Sequence, residues 1–220
     1  MSKISMIKVD CPDCGKQFEV KCWDSLNSDL NPAEKEQLLA GRLFYATCSN
    51  CHSEHQIIYP ILYHDMKNKV MIQLVLDERD IEAFISSVKS TASLEAWDTT
   101  VADGYRYRCV KTTNGLREKA LIFDCGLDDR VIELLKIIYN AMINETQKDI
   151  VVSDMLFYHD TVHKLIVFVD EKPMFDIEID MEKYNEVMED EQLRLEDRSK
   201  DCFIIDKEWA QGLLLQENNT

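Results

Sequence analysis

Glycine and proline are scarce, with six and four among 220 residues. No glycine- or proline-rich stretch is therefore present to act as a linker between parts. No window approaches eighteen uninterrupted apolar residues, the length a spanning helix needs. The opening segment, MSKISMIKVD, lacks the apolar run of a secretory leader. No fixed-period repeat and no low-complexity tract occurs. The common catalytic fingerprints are missing too: there is no GxGxxG, no P-loop, no HExxH and no GxSxG. These absences lead to the expectation of a soluble cytoplasmic protein that uses no membrane and has no ready-made catalytic motif.

Cysteine, by contrast, is plentiful. Eight are present: Cys11, Cys14, Cys22, Cys48, Cys51, Cys109, Cys125 and Cys202. In a reducing compartment, paired cysteines bind metal or do redox work more often than they form disulfides. Hydrophobic residues make up 45% of the chain. That fits one large domain, or a small module attached to a larger one, with a substantial core.

The formal net charge is −16 and it is unevenly placed. Residues 1–75 hold 8 Lys+Arg against 9 Asp+Glu, and residues 76–220 hold 17 against 32. The charge shift and the end of the cysteine-bearing part divide the chain into a module at 1–75 and an acidic α+β domain at 76–220. Binding to a nucleic-acid backbone relies on Lys and Arg releasing counterions. The acidic part opposes that, so only the near-neutral module suits DNA or RNA. The acidity itself serves solubility or attracts a basic protein partner.

Residues 5–10 and 16–23 read as strands on either side of the first cysteine pair. Asn31 then stands as an N-cap, Pro32 at the first helical position and Glu34 three residues after Asn31, as in a capping box. With Gly41 as a left-handed stop, these predict a helix over 32–40. RLFYAT leads as a strand into the second pair, and EHQIIYPILYHD continues extended. In the acidic part, DERDIEAFISSVKS predicts a helix and YRYRCVKT a strand. NGLREKALIF reads as a helix from Leu116, capped by Asn114. The next helix spans LDDRVIELLKIIYNAMINET, where Leu127, Val131, Leu134, Leu135, Ile138 and Met142 recur at helical spacing. Two strands follow, joined across HDTVH as a hairpin, and then the alternating MFDIEID. An acidic amphipathic helix covers MEKYNEVMEDEQLRLED, and CFIIDKEWAQGLLLQE suggests a strand and a closing helix. Strands come in pairs without a helix after each, so the class is α+β.

The pairs CPDC at 11–14 and CSNC at 48–51 are separated by 33 residues. Two CxxC turns flanked by strands match a zinc ribbon. Two thiolates three apart on a tight turn can face one ion at about 2.3 Å each. Turn N–H groups can then offset the sulfur charge. Pro12 stiffens the first turn and Gly15 accepts the positive φ that follows it. The helix at 32–40 explains a spacer longer than usual. Cys11, Cys14, Cys48 and Cys51 are thus the candidate ligands of one zinc ion per chain, in a closed structural site. A redox reading of CPDC competes with this one, but it calls for a helix starting at the motif, and the strand-like KQFEVKCW follows instead. His52 or His55 could replace one thiolate, and Cys22 reads first as a small core residue and is the one to watch as a spare ligand. Cys109, Cys125 and Cys202 sit among apolar residues and read as small core residues.

CPDCG, the Trp23-Asp24-Ser25-Leu26-Asn27 segment, NPAEKEQLLAGRL, CSNC and YPILYHD together resemble the CpXC family of bacterial proteins. The resemblance spans residues 8–75 closely, and residues 105–136 are similar to longer members. Ser49 stands where the motif has proline, and His52 where it has glycine. The resemblance implies a metal-binding bacterial cytoplasmic protein and carries over no catalytic residue.

Outside the cysteines, His159 and His163 flank a hairpin turn and read as exposed turn residues. Tyr105 and Tyr107 share one strand face, and Arg106 and Arg108 the other. Asp128 and Asp129 favour a helix start through its dipole. Trp23, Trp97 and Trp209 read as packing residues. The leading expectation is a non-enzymatic zinc-binding protein whose acidic part makes protein contacts, with a homo-oligomer possible. The alternative is a nucleic-acid-associated regulator using Lys3, Lys8, Lys16, Lys21, Arg42, Lys67 and Lys69. An enzyme with a site of converging acids or histidines in the acidic part is a third.

Overall fold

The computed structural model describes residues 2–92, 104–199 and 202–215; Trp97 lies outside them. Among the described residues are ten strands in three sheets and six helices, an α+β fold. The chain divides into two compact units, Met1–Arg117 and Glu118–Thr220.

The first unit is built on strands β1 (Lys3–Asp10), β2 (Gln17–Asn27), β5 (Ile61–Asp65), β6 (Val70–Leu74) and β7 (Arg106–Val110). They form one sheet in the order β1-β2-β5-β6-β7. Pairing alternates along it: β1/β2 and β5/β6 are antiparallel, and β2/β5 and β6/β7 parallel. Burial follows the two-residue period of a half-covered strand. Phe18, Val20 and Cys22 point inward on β2, Ile61 and Tyr63 on β5, and Val70, Ile72 and Leu74 on β6. On β2 the alternation resets at Trp23, which is also buried, close to a register shift opposite Lys3/Ile4. A bulge of this kind moves the following side chains to the other face. Strand β6 was not foreseen from the sequence. Strand β7 lies beyond residue 75, yet it pairs with β6 in this unit's sheet.

Two short strands, β3 (Tyr45–Thr47) and β4 (Glu54–Gln56), form a separate antiparallel hairpin. Helix α1 (Pro32–Leu39) lies between β2 and β3 in sequence and starts at proline as expected. The Asn31 side chain makes no cap bond; its Oδ1 accepts from the Ser2 hydroxyl instead. At the other end Gly41 adopts φ +73°. Its N–H donates to Leu38 O at 2.9 Å and the Arg42 N–H to Gln37 O at 2.7 Å. This double closure is the Schellman stop that a glycine permits. Helix α2 (Glu78–Ala92) follows β6.

Helix α3 (Thr113–Asp124) begins three residues before Leu116. Asn114 is inside it and is not the cap. Thr112 does that work, its Oγ1 accepting the Gly115 N–H at 2.9 Å, because a threonine just outside the helix can reach an orphan N–H that a residue inside it cannot. The second unit continues with α4 (Asp129–Thr146), β8 (Val152–His159), β9 (His163–Val169), β10 (Lys172–Glu178), α5 (Met181–Ser199) and α6 (Lys207–Leu215). The sheet order is β10-β9-β8, all antiparallel. Asp128 caps α4 by accepting the Arg130 N–H at 2.9 Å.

The core of this unit gathers Val131, Leu135, Tyr139 and Ile143 of α4 with Phe157, Leu165 and Val167 of the sheet and Ala210 and Leu213 of α6. Trp209 packs against it. The four α4 residues are spaced by four. The neighbouring row of Leu134, Ile138 and Met142 rotates away along the helix, so Met142 ends half exposed at 50%. Residues 202–206 form no strand. Asp206 ends that segment by accepting the Trp209 N–H at 2.9 Å, which starts α6.

Candidate metal centre

Each CxxC pair closes one hairpin of the first unit. The turn after β1 runs from Cys11 to Lys16, and the turn after β3 from Cys48 to Ser53. Both fold the same way. The Cys11 N–H donates to Lys16 O at 3.0 Å and the Gly15 N–H to Cys11 O at 2.8 Å. In the second turn the Cys48 N–H donates to Ser53 O at 2.8 Å and the His52 N–H to Cys48 O at 2.9 Å. The residue after each second cysteine needs a left-handed backbone, and Gly15 has φ +69° and His52 φ +63°. His52 thus does the backbone work of glycine, and its side chain is exposed.

The two turns bring four sulfurs together. Cys11 Sγ lies 3.6 Å from Cys51 Sγ, and Cys14 Sγ 3.9 Å from Cys48 Sγ. All four lie within 4.8 Å of one another, and all are free thiols. Around a tetrahedral ion with Zn–S arms of about 2.3 Å, the sulfur–sulfur edges would be about 3.8 Å. These two separations fit that figure, and the four-sulfur donor set suits a thiophilic ion.

Turn donors set the charge on these sulfurs. Burial would push the Cys11 thiol up, but the Cys14 and Asp13 N–H groups and the Ser53 hydroxyl outweigh it and bring it down to about 5. At Cys48 the same contest between burial and the Asn50 and Cys51 N–H groups also ends below the ordinary thiol value. The Asn50 N–H lies 3.4 Å from Cys48 Sγ. Cys14 receives the Lys16 N–H, yet burial and the neighbouring sulfurs of Cys51, Cys11 and Cys48 raise it to about 12. Four sulfurs this close cannot all carry charge without a cation among them.

Around the cluster stand Ser53 and His55. Ser53 Oγ lies 2.9 Å from Cys51 Sγ and 3.6 Å from Cys11 Sγ. His55 Nε2 lies 2.9 Å from Ser53 Oγ, 3.3 Å from Cys11 Sγ and 3.7 Å from the Asp13 carboxylate. His55 is therefore a close neighbour of the sulfurs, and the four-cysteine group forms without it. Ser53 went unnoticed in the sequence because a serine two residues past a CxxC carries no spacing signal of its own. Cys22 is buried on β2, outside the four-cysteine group.

The remaining residues singled out in the sequence are placed as follows. Cys109 is buried, and Cys125 and Cys202 are half-buried. Tyr105 and Tyr107 do face one another, with ring centroids 6.4 Å apart, and the Tyr105 hydroxyl lies 3.0 Å from His64 Nε2. Arg108 is buried and donates to Tyr107 O at 2.9 Å. Asp129 is buried against Lys119, 3.3 Å away. His159 and His163 are half-buried, with ring centroids 4.6 Å apart, not the exposed turn residues expected. The two residues are direct cross-strand partners at the end of the hairpin.

Two hairpins that present a CxxC turn each to a common point define a four-cysteine, two-knuckle protein. The family model described as CpXC protein matches residues 9–136, over half of the chain, and the chain belongs to that family. No curated protein and no solved structure matches it. No described helix is long and apolar enough to cross a membrane.

Proposed function

We propose that Cys11, Cys14, Cys48 and Cys51 hold one zinc ion in a structural site of the zinc-ribbon kind. In this reading the protein is cytoplasmic and non-enzymatic, and it acts through contacts with other proteins. The observation that carries the metal assignment is the sulfur geometry: four free thiols, from two turns of matching bonding, lie within 4.8 Å of one another, with the Cys11–Cys51 and Cys14–Cys48 separations close to those expected around zinc. A closed set of four thiolates leaves no ligand position for water, which is the mark of a structural site. The ion would join the β1–β2 hairpin to the β3–β4 hairpin across the 33 intervening residues. The acidic second unit supports a basic protein surface as the partner.

Elemental analysis of the purified protein, with its mass in solution, is the test. Cys14→Ser and Cys48→Ser should each bind one metal equivalent fewer than the wild type. Structural zinc contributes about 10–16 kcal/mol of apparent free energy in small sites, so the β1–β4 region should also lose hydrogen-exchange protection. A Cys14→Ser variant that keeps its full metal content, or that stays protected there without metal, would overturn the assignment.

A further inference from the structure

We propose that Cys125, His159 and His163 form a second metal site, for a divalent zinc-class ion, with a coordination position left open. It lies wholly in the second unit and shares no residue with the four-cysteine cluster. One donor atom from each of the three lies within 4.8 Å of the other two. Closing on arms of about 2.0–2.3 Å asks for at most about 1.5 Å of side-chain movement.

Each donor is delivered by a defined local structure. Cys125 directly follows the last residue of α3, in the turn that stops the helix. Gly126 there has φ +72°, its N–H donates to Phe123 O at 3.0 Å and the Leu127 N–H to Ile122 O at 3.1 Å. This Schellman closure turns the chain so that Cys125 is fixed between α3 and α4. His159 ends β8 and His163 begins β9, and the two are direct cross-strand partners. The loop between them is held by Asp160, whose carboxylate accepts the Thr161 and Val162 N–H groups and pairs with Lys164 at 3.2 Å. The hairpin end is therefore shaped before any ion arrives.

The imidazoles point to a ligand. Their centroids lie 4.6 Å apart, and Phe157 stacks on His163 at 5.7 Å. Nδ1 of both rings is buried and has no hydrogen-bond partner. A buried polar atom left unpaired costs about 1–3 kcal/mol, and two side by side in a hairpin do nothing for packing that Phe or Leu would not do better. A borderline cation would satisfy them: imidazole and thiolate are the donors that zinc-class ions prefer. On binding, the Cys125 thiol gives its proton to solvent and the thiolate takes the ion. Three protein ligands leave room for water or another small donor, unlike the four-thiolate cluster. Cys125 falls within the family-matched span and both histidines fall beyond it.

The test is a Zn2+ titration of the full chain against a chromophoric chelator, followed by Co2+ spectroscopy. Wild type should bind two equivalents. Cys125→Ser and His159→Gln should each weaken one equivalent by about 100-fold or more and leave the other in place. Cys14→Ser should lose the opposite equivalent, so failure here and failure of the four-cysteine site give different patterns. When the four-cysteine site is filled with Zn2+, one Co2+ should still bind the wild type and show thiolate-to-cobalt charge transfer. A single wild-type equivalent that Cys14→Ser abolishes and Cys125→Ser keeps, or two tight equivalents in both Cys125→Ser and His159→Gln, would overturn the proposal. The cobalt spectrum of the wild type decides even if a variant does not fold.

Discussion

Gly15 and His52 hold the same place in two matching knuckles, and their side chains differ in how well they suit it. Left-handed backbone costs an L-residue about 1–2 kcal/mol because Cβ crowds the following carbonyl. Glycine avoids this but gives up more freedom on folding. A Cβ built on Gly15 would meet nothing within 4 Å, so Gly15→Ala tests the backbone term alone. It should destabilise the metal-loaded protein by about 1 kcal/mol, read by denaturant melts. His52→Gly should do the reverse and stabilise by roughly 0.5 kcal/mol, the strain removed less the entropy added. Metal content should not change in either. A His52→Gly variant that is less stable would mean the exposed imidazole makes a contribution beyond its backbone.

Between α3 and α4 lies a group of buried charges that helical periodicity hides. Glu133 accepts from Lys119 Nζ at 3.0 Å and Lys136 Nζ at 3.1 Å. Lys136 also pairs with Glu118 at 2.8 Å, and Glu118 accepts the Phe157 N–H of β8. All four residues are largely shielded from water. Burial opposes the charge on Glu133, but the two lysines outweigh it and hold its carboxyl below the ordinary value. The same anions hold Lys119 and Lys136 above theirs. A depressed carboxylate contributes stability that is present above its unfolded pKa of about 4.3 and lost as pH falls through the folded one. The raised lysines contribute below about 10.4 and lose their share as pH climbs through their folded values. Glu133→Gln should therefore cost about 3 kcal/mol at pH 7, and its penalty should shrink toward acid. Denaturant melts at neutral pH and well below the unfolded carboxylate value of about 4.3 compare the two; equal penalties at both would overturn the ion-pair account. Local signals were legible in the sequence. Pro32 and Gly41 bounded α1, the helical spacing of Leu127, Val131, Leu134, Leu135, Ile138 and Met142 announced α4, and the CxxC spacing announced the knuckles. What depends on distant partners was not legible. Glu133 and Lys136 look like a solvated helix face until α3 supplies Lys119 and Glu118. The parallel pairing of β2 with β5, and the meeting of Cys125 with a hairpin more than thirty residues away, also have no local signature.

Charge decides most at the level of the whole chain. The first unit carries 14 Lys+Arg against 16 Asp+Glu, and the second 11 against 25. Several of the bases that a nucleic-acid surface would need are already engaged. Lys3 pairs with Asp24 at 3.0 Å, and Lys21 pairs with Glu34 at 3.6 Å while lying over the Trp23 ring. Arg42 pairs with Glu54 and covers Tyr45. Each pair neutralised within the protein is a counterion not released from a phosphate backbone, and that release supplies most of non-specific affinity. The acidic unit adds repulsion that low salt strengthens, because the Debye length grows to about 30 Å at 0.01 M. Labelled duplex DNA and RNA should therefore show no anisotropy change with the metal-loaded protein at low salt, where a basic protein would bind. Binding that appears at low salt and fades at moderate salt would reverse the conclusion and make the first unit a nucleic-acid module. A basic protein bound under the same conditions, with affinity falling as salt rises, is the outcome that this charge distribution favours.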